Sequence, residues 1–182
     1  MQRISVYKTE GIILATADLG ELDRLLTIYT RGYGKILARA ISARKKESKL
    51  KGLLESFSRA NFLLAKSKTI DIVTDVETIE GYRYLHGNLE SLAYAFYFAE
   101  LVDKLVIGQE RDENLWRLIA RAFEVLNQKR TDLPKIKELF EQKLLEFLGY
   151  GQVSKNKKTL DFIQGLAGGE IMAKRFLERL DR

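Results

Sequence analysis

The spacing of hydrophobic residues changes once along the chain, near Gly81, and that change limits the fold more than any other feature. From Val6 to Ile79 apolar and β-branched residues come in short, partly alternating runs: YKTEGIILAT, DRLLTIYT, ILARAIS, FSRANFLLAKS and KTIDIVTDVETI. Successive side chains of a strand point to opposite faces, so runs of this length bounded by polar residues predict strands. ADLGE and RGYGK supply turn residues between the first three. Beyond Gly81, residues Leu89, Leu92, Ala93, Phe96 and Ala99 recur at helical spacing, with Asn88 placed to cap the start and Gly108 to end it. Phe98, Leu101, Val102 and Leu105 cover a second side, so this helix is expected between other elements. DENLWRLIARAFEVLNQK and TDLPKIKELFEQKLLEFLGYG repeat the pattern; Asp132 and Pro134 mark a start and Gly149 a stop. Two short helices broken at Gly168-Gly169 are predicted to follow.

Five strands in under 80 residues suggest a small closed barrel rather than a sandwich, and a long segment after the third strand is similar to the oligonucleotide-binding (OB) barrel. The expected class is α+β: an N-terminal OB-fold β-barrel over residues 1–80, binding nucleic acid, followed by an α-helical domain over residues 81–182. The longest apolar runs, such as Phe62-Leu63-Leu64-Ala65, fall far short of the roughly 20 residues that span a bilayer, so no membrane anchor is expected. MQRISVYKTEG carries no apolar signal region and the sequence has no cysteine, which excludes disulfides and thiolate metal sites and predicts a cytoplasmic protein without cofactor, nucleoid-associated if the partner is DNA.

Charge is concentrated. From Arg31 to Lys68 eleven Lys and Arg residues face only Glu47 and Glu55, a net of +9, while the whole chain carries +6. The densest part is LARAISARKKESKLKG, with Arg39, Arg44, Lys45, Lys46, Lys49 and Lys51 around the single acid Glu47. A charge run is ordinarily a solvated loop. Here it lies between strands, cations continue into the neighbouring strands at Arg31, Lys35 and Arg59, and small or polar residues separate them, so the backbone of a polyanion could approach. Nothing resembles a recognition helix or finger, so sequence-specific readout is not expected.

Catalytic chemistry is poorly supplied. The single histidine, His86, is read as a surface or helix-start residue. Asp71, Asp75 and Glu77 could hold Mg²⁺, but at strand spacing they are expected together on a solvated face opposite Ile70, Ile72 and Val76. RGYGK and GLAGGE lack the remaining residues of nucleotide-binding loops and read as a hairpin turn and a helix break. Tyr94, Phe96, Tyr97 and Phe98 could stack on bases, yet on a greasy helix they read as core.

The string GIILATADLGELDRLLTIYTRGYGKILARAISARKKESKLKGLLESFSRANFLL resembles the start of the RecO recombination mediators: a Gly-hydrophobic strand, a G-E-x-D-R-L-L turn, T-x-x-x-G-K, then a basic loop before a strand. AYAFYFAELVDKL and FEQKLLEFLGYG are similar to two helical signatures of that family, in the same order, and the resemblance runs from about Tyr7 to Gly151. It implies an OB barrel, a helical C-terminal part and no enzyme activity. It also implies binding to single- and double-stranded DNA, annealing of complementary strands, work with RecR, contact with the C-terminal tail of single-strand binding protein, and help in loading RecA during recombinational DNA repair. Many members carry a cysteine-rich zinc element after the equivalent of LGYG; GQVSKNKKTLDF follows here, so a short member without zinc is expected. Arg31, Lys35, Arg39, Arg44, Lys45, Lys46, Lys49 and Lys51 become the candidate DNA contacts, while Asp23 and Arg24 are expected to serve the barrel through a charge pair and turn geometry. For the acidic, Phe-containing tail of single-strand binding protein, an apolar groove rimmed by Arg117, Arg121 or Arg130 on the helices is the expected seat. Two alternatives stay open: an RNA-binding OB-fold protein, and a metal-dependent nuclease using Asp71, Asp75 or Glu77.

Overall fold

The computed structural model describes residues 5–151 and 158–180. Its first part is a barrel of β1 (Val6–Leu19), β2 (Asp23–Thr30), β3 (Gly34–Ala40), β4 (Arg59–Ala65) and β5 (Asp71–Glu80), closed in the order β1-β2-β3-β5-β4. The N-terminal half of β1 pairs with β4 and its C-terminal half with β2. Closure comes from a short parallel contact of β3 with β5, Ala38 opposite Asp71 and Arg39 opposite Ile72. This is the OB topology expected from the strand count. Alternation is clearest in β3, where Ile36, Ala38 and Ala40 point in and Leu37 and Arg39 point out. Ile13, Leu26, Ile28, Phe62 and Leu64 join them in the barrel core. The first strand runs through Ala17–Leu19, so the turn expected at ADLGE is confined to Gly20–Leu22.

Contacts divide the chain into two compact units, and the barrel unit, which ends at Gly81, also takes in Gly108–Asp112. The reason lies partly in Gly34. Its φ is +62°, and a Cβ built there would stand 2.4 Å from the Glu110 carbonyl oxygen. Gly20 has the same φ of +62° with nothing within 4 Å. Both positions disfavour a side chain through the backbone, by about 1–2 kcal/mol. Only Gly34 adds a steric overlap with backbone, worth a further ~1–3 kcal/mol. Gly34→Ala is therefore expected to lower stability in urea unfolding by about 3 kcal/mol and Gly20→Ala by about 1 kcal/mol. Equal losses would show that the approach of Gly108–Asp112 to the hairpin contributes nothing.

The second unit holds α1 (Arg83–Gly87), α2 (Leu89–Leu105), α3 (Glu113–Leu126), α4 (Leu133–Phe147), α5 (Lys158–Leu166) and α6 (Met172–Leu180). Asn88 Oδ1 accepts from the Ser91 amide at 2.8 Å and Asp132 Oδ1 from the Lys135 amide at 3.1 Å, the caps their side chains predict. The short α1 is not foreshadowed by any period. Its first amides are satisfied from a distance by Asn127 Oδ1, 3.0 Å from Tyr84 N and 3.1 Å from Leu85 N. Likewise the Glu100 carboxylate of α2 accepts the amides of Met172 and Ala173 and so caps α6 from another helix. Tyr94, Tyr97 and Phe98 are core as expected, whereas Phe96 of the same set is 46% exposed.

Candidate nucleic-acid interface

The basic segment after β3 is folded. Hydrogen bonds from Lys45 N to Ser42 O, Ser48 N to Lys45 O, Lys51 N to Ser48 O and Leu53 N to Leu50 O wind it into successive tight turns. Ala43 and Leu54 are buried within the barrel core, Leu50 and Leu53 pack against that core, and Phe57 is buried, its amide bound to the Ile13 carbonyl of β1. Apolar side chains thus go inward as a plug for the barrel end, which leaves the cations no place but the outside. Asp23, at the start of β2, fixes where the segment begins: its carboxylate accepts the Ser42 amide at 2.7 Å and Arg39 Nε at 2.7 Å. Those two contacts, the Ser42 amide first and the Arg39 guanidinium second, hold the Asp23 carboxyl below its usual range. Ser42 itself has φ +54°, a conformation a bound carboxylate helps to retain.

The eight expected DNA contacts do not form one cluster. Lys45, Lys46, Lys49 and Lys51 are exposed on the folded segment, and the side chains of Lys46, Lys49 and Lys51 have no ion-pair or hydrogen-bond partner among the described residues. Arg44 joins them, tied back to the β1–β2 turn by Asp18 Oδ2 at 3.3 Å and the Gly20 carbonyl at 3.4 Å. Arg39 and Lys35 lie along the outer face of β3 on either side of the exposed Leu37. The charge pair expected within ELDRLL is formed by Asp23 with Arg39, while Arg24 reaches Asp18 only at 4.0 Å. Arg31 sits at the far turn of the β2–β3 hairpin, beside Glu10 at 3.8 Å. At about 3.4 Å per strand residue that is roughly 20 Å from the basic segment.

The acids of β5 do not assemble as expected. Asp71 is buried at 5% exposure, where its carboxylate accepts from Tyr7 Oη at 2.5 Å, the Ser67 amide at 3.0 Å and Lys66 Nζ at 3.1 Å. Burial opposes ionisation, but the Tyr7, Ser67 and Lys66 contacts outweigh it and hold the carboxyl below its usual range. Asp75 and Glu77 are exposed. The register of β5 against β4 shifts between Leu63 and Leu64, which breaks simple alternation and puts Asp71 inside. Nor is β5 an edge, since it pairs with both β3 and β4. Among the described residues no group of three or more His, Asp or Glu is placed to hold a metal ion.

In the helical unit α3 and α4 enclose an open groove of about 580 Å³. Leu118, Val125, Leu139 and Phe147 line it, and Arg117, Arg121 and Lys143 stand among them. Arg117 is paired with Glu113 and Arg121 with Glu124, each at 3.3 Å on the same helix. Arg130, in the turn beyond α3 at φ +61°, is not part of the lining. Leu139 is 48% exposed here, an apolar side chain left uncovered at the groove.

A closed β1-β2-β3-β5-β4 barrel with a folded basic segment between β3 and β4, followed by helices, defines an OB-fold protein with an appended helical unit. Comparison with known proteins narrows this class. The family described as "Recombination protein O N terminal" matches residues 1–82 and the one described as "Recombination protein O C terminal" matches residues 86–156. Proteins named DNA repair protein RecO are similar along most of the chain. That of Pelotomaculum thermopropionicum is 35% identical over 147 residues, 81% of this chain and 57% of its own length. That of Trichodesmium erythraeum is 37% identical over 146 residues, covering 80% and 50%, and that of Clostridium novyi 30% over 148 residues, covering 81% and 58%. The chain belongs to the RecO family. It spans little more than half the length of these curated relatives. Residues 152–157 of GQVSKNKKTLDF, where a zinc element was expected to be missing, lie outside the described residues. Among the described residues no helix is long and apolar enough to cross a membrane.

Sequence reasoning missed one feature of the barrel. Tyr33, read only as part of the turn RGYGK, is an exposed ring lying against Tyr7, with centroids 4.5 Å apart. An aromatic residue between two turn glycines is the signal that could have found it.

Proposed function

We propose that this chain is a non-enzymatic DNA-binding mediator of recombinational repair, in which residues 1–80 bind single- and double-stranded DNA and residues 81–182 receive a protein partner. The supporting observation is the folded basic segment: its apolar residues plug the barrel, and Lys46, Lys49 and Lys51 stand outward without partners among the described residues. Cations held on a fixed surface screen the repulsion between two phosphate chains, and base pairing then drives annealing with no catalytic group. Phosphate contacts carry no base information, so binding is indifferent to sequence. The α3–α4 groove, apolar with Arg117, Arg121 and Lys143 beside it, suits the acidic, Phe-containing tail of single-strand binding protein. RecR and, indirectly, RecA are the further partners this reading expects.

The test is annealing of complementary oligomers coated with single-strand binding protein. The chain is expected to speed annealing without metal or nucleotide, and the same reaction with a binding protein lacking its tail should gain less. No acceleration on bare or coated strands would overturn the reading. Titration with the tail peptide alone should show binding below ~1 mM, an affinity worth only about 4 kcal/mol. Matched DNA and RNA oligomers in competition decide against the RNA alternative if DNA wins.

A further inference from the structure

The β2–β3 turn carries its own device, at the opposite end of the hairpin from the lysine segment. The turn is held from several sides: Thr30 Oγ1 donates to the Gly34 carbonyl at 2.9 Å and accepts from Tyr33 N at 3.0 Å, Gly32 N donates to Thr9 Oγ1 at 3.3 Å, and Arg31 N donates to the Glu10 carbonyl at 2.9 Å. What this rigid mount presents is the ring of Tyr33, 42% exposed. Behind it lies Tyr7, tilted at 59° with centroids 4.5 Å apart. Tyr7 is itself fixed, because its hydroxyl donates to buried Asp71 at 2.5 Å and Lys66 Nζ stands 5.7 Å from its ring centroid. Lys66 completes the set by pairing with Asp71 at 3.1 Å while keeping 52% of its side chain exposed. An aromatic face held in place at the surface, backed by a second ring and flanked by Lys66, costs exposed apolar area that a plain hairpin turn does not require.

We propose that Tyr33, supported by Tyr7, is a stacking platform for an unpaired base. The inference rests on the DNA-binding reading above and adds a second, chemically distinct subsite to it. Every base offers a π-face, so such a platform tolerates any sequence. In a duplex those faces are already stacked on their neighbours and out of reach. Lysines of the basic segment meet phosphates of one strand or two, whereas Tyr33 engages only a strand whose bases are free. Lys66, beside the Tyr7 ring and half exposed, is placed to receive a phosphate next to the stacked base. The platform therefore gives the barrel a preference for single strands that its charge alone cannot give. Its position roughly 20 Å from the basic segment, along the hairpin at about 3.4 Å per residue, lets one strand run between the two.

Three variants and three ligands test this. A dT oligomer, the same backbone without bases, and a duplex of equal length are titrated against the wild type, Tyr33→Leu and Tyr33→Trp. Leucine still covers Tyr7 but stacks poorly, so a merely structural Tyr33 predicts no change in binding. The wild type is expected to bind the dT oligomer roughly tenfold more tightly than the abasic one, the range of one stacked base. Tyr33→Leu should lose most of that ratio while its duplex affinity stays within about twofold. Tyr33→Trp should keep the ratio, and its indole fluorescence should be quenched by the dT oligomer; Trp116, the one other tryptophan, is buried at 3% exposure. Unchanged dT affinity in Tyr33→Leu, or an unquenched tryptophan at position 33, overturns the platform and leaves the DNA-binding reading intact. A wild type that binds none of the three ligands overturns both.

Discussion

Replacing Lys46, Lys49 and Lys51 together by glutamate is expected to weaken binding to single strands by roughly fiftyfold or more at 0.15 M salt. The magnitude follows from counterion release. Each single-strand phosphate neutralised contributes about −0.7 to the slope of log affinity against log salt, so three lost contacts flatten the slope by about 2. Extended from 1 M, where the term vanishes, to 0.15 M, that slope is worth the stated factor, and repulsion from the new carboxylates adds to it. These three lysines are a cleaner choice than Arg44, whose guanidinium is engaged with Asp18 and the Gly20 carbonyl and whose loss would disturb the β1–β2 turn. Their side chains are exposed and make no hydrogen bond or ion pair among the described residues, so thermal unfolding should shift by no more than the ~0.5 kcal/mol usual for surface positions. Affinity for different sequences should fall together, and annealing with it. Wild-type affinity with an unchanged salt slope would mean that the segment only plugs the barrel.

That experiment separates two jobs which one stretch of sequence performs at once, and the overlap explains what could be read without a structure. The cations of LARAISARKKESKLKG are visible as a run because charge needs no periodicity to be noticed. The plug was not read, although its residues carry a period: Ala43, Leu50, Leu53, Leu54 and Phe57 recur at the i, i+7, i+10, i+11 and i+14 spacing of one helical face, hidden among the cations, and the chain there winds in i to i+3 turns rather than a regular helix. Strands and long helices, where period and caps agree, were legible down to Asn88 and Asp132. Features set by distant partners were not. Asn127 caps a helix 42 residues upstream, and Asp23 selects Arg39, sixteen residues away, over its neighbour Arg24. A register shift in β5 sends Asp71 inward and dissolves the carboxylate trio that regular alternation would have made. Each is a tertiary event that local pattern cannot encode.

The same limit hides a buried polar contact of the helical unit, and breaking it should have a large effect on stability. Glu141 of α4 looks like any surface acid in FEQKLLEFLGYG, yet it is 5% exposed and accepts from Tyr97 Oη of α2 at 2.5 Å, with Lys137 Nζ 2.8 Å from the same oxygen. One residue earlier Phe140 stacks on Phe98 at 4.2 Å, so the contact locks α4 to α2 beside the groove that Phe140 helps to line. Glu141→Ala removes a charge-assisted acceptor, strands the fully buried Tyr97 hydroxyl and opens a cavity; the expected loss is about 3 kcal/mol, with tail-peptide binding weakened as the groove loosens. Tyr97→Phe leaves Glu141 its lysine and should lose about 1 kcal/mol. The pair carries a signature in alkali. Burial first, then the Glu141 charge and hydrogen bond, pushes the Tyr97 hydroxyl far above its ordinary value. A folded-state pKa above the unfolded one means stability that is complete below about pH 10 and is lost as pH rises beyond it. Between pH 10 and 11.5 wild-type unfolding free energy should therefore fall more steeply than that of Tyr97→Phe, by a difference that rises toward about 1.4 kcal/mol per pH unit as the unfolded tyrosine ionises. Urea titrations followed by Trp116 fluorescence read both slopes. Parallel curves would show that Tyr97 ionises as freely in the folded protein as in the unfolded chain, and that the Glu141 contact does not hold the two helices together.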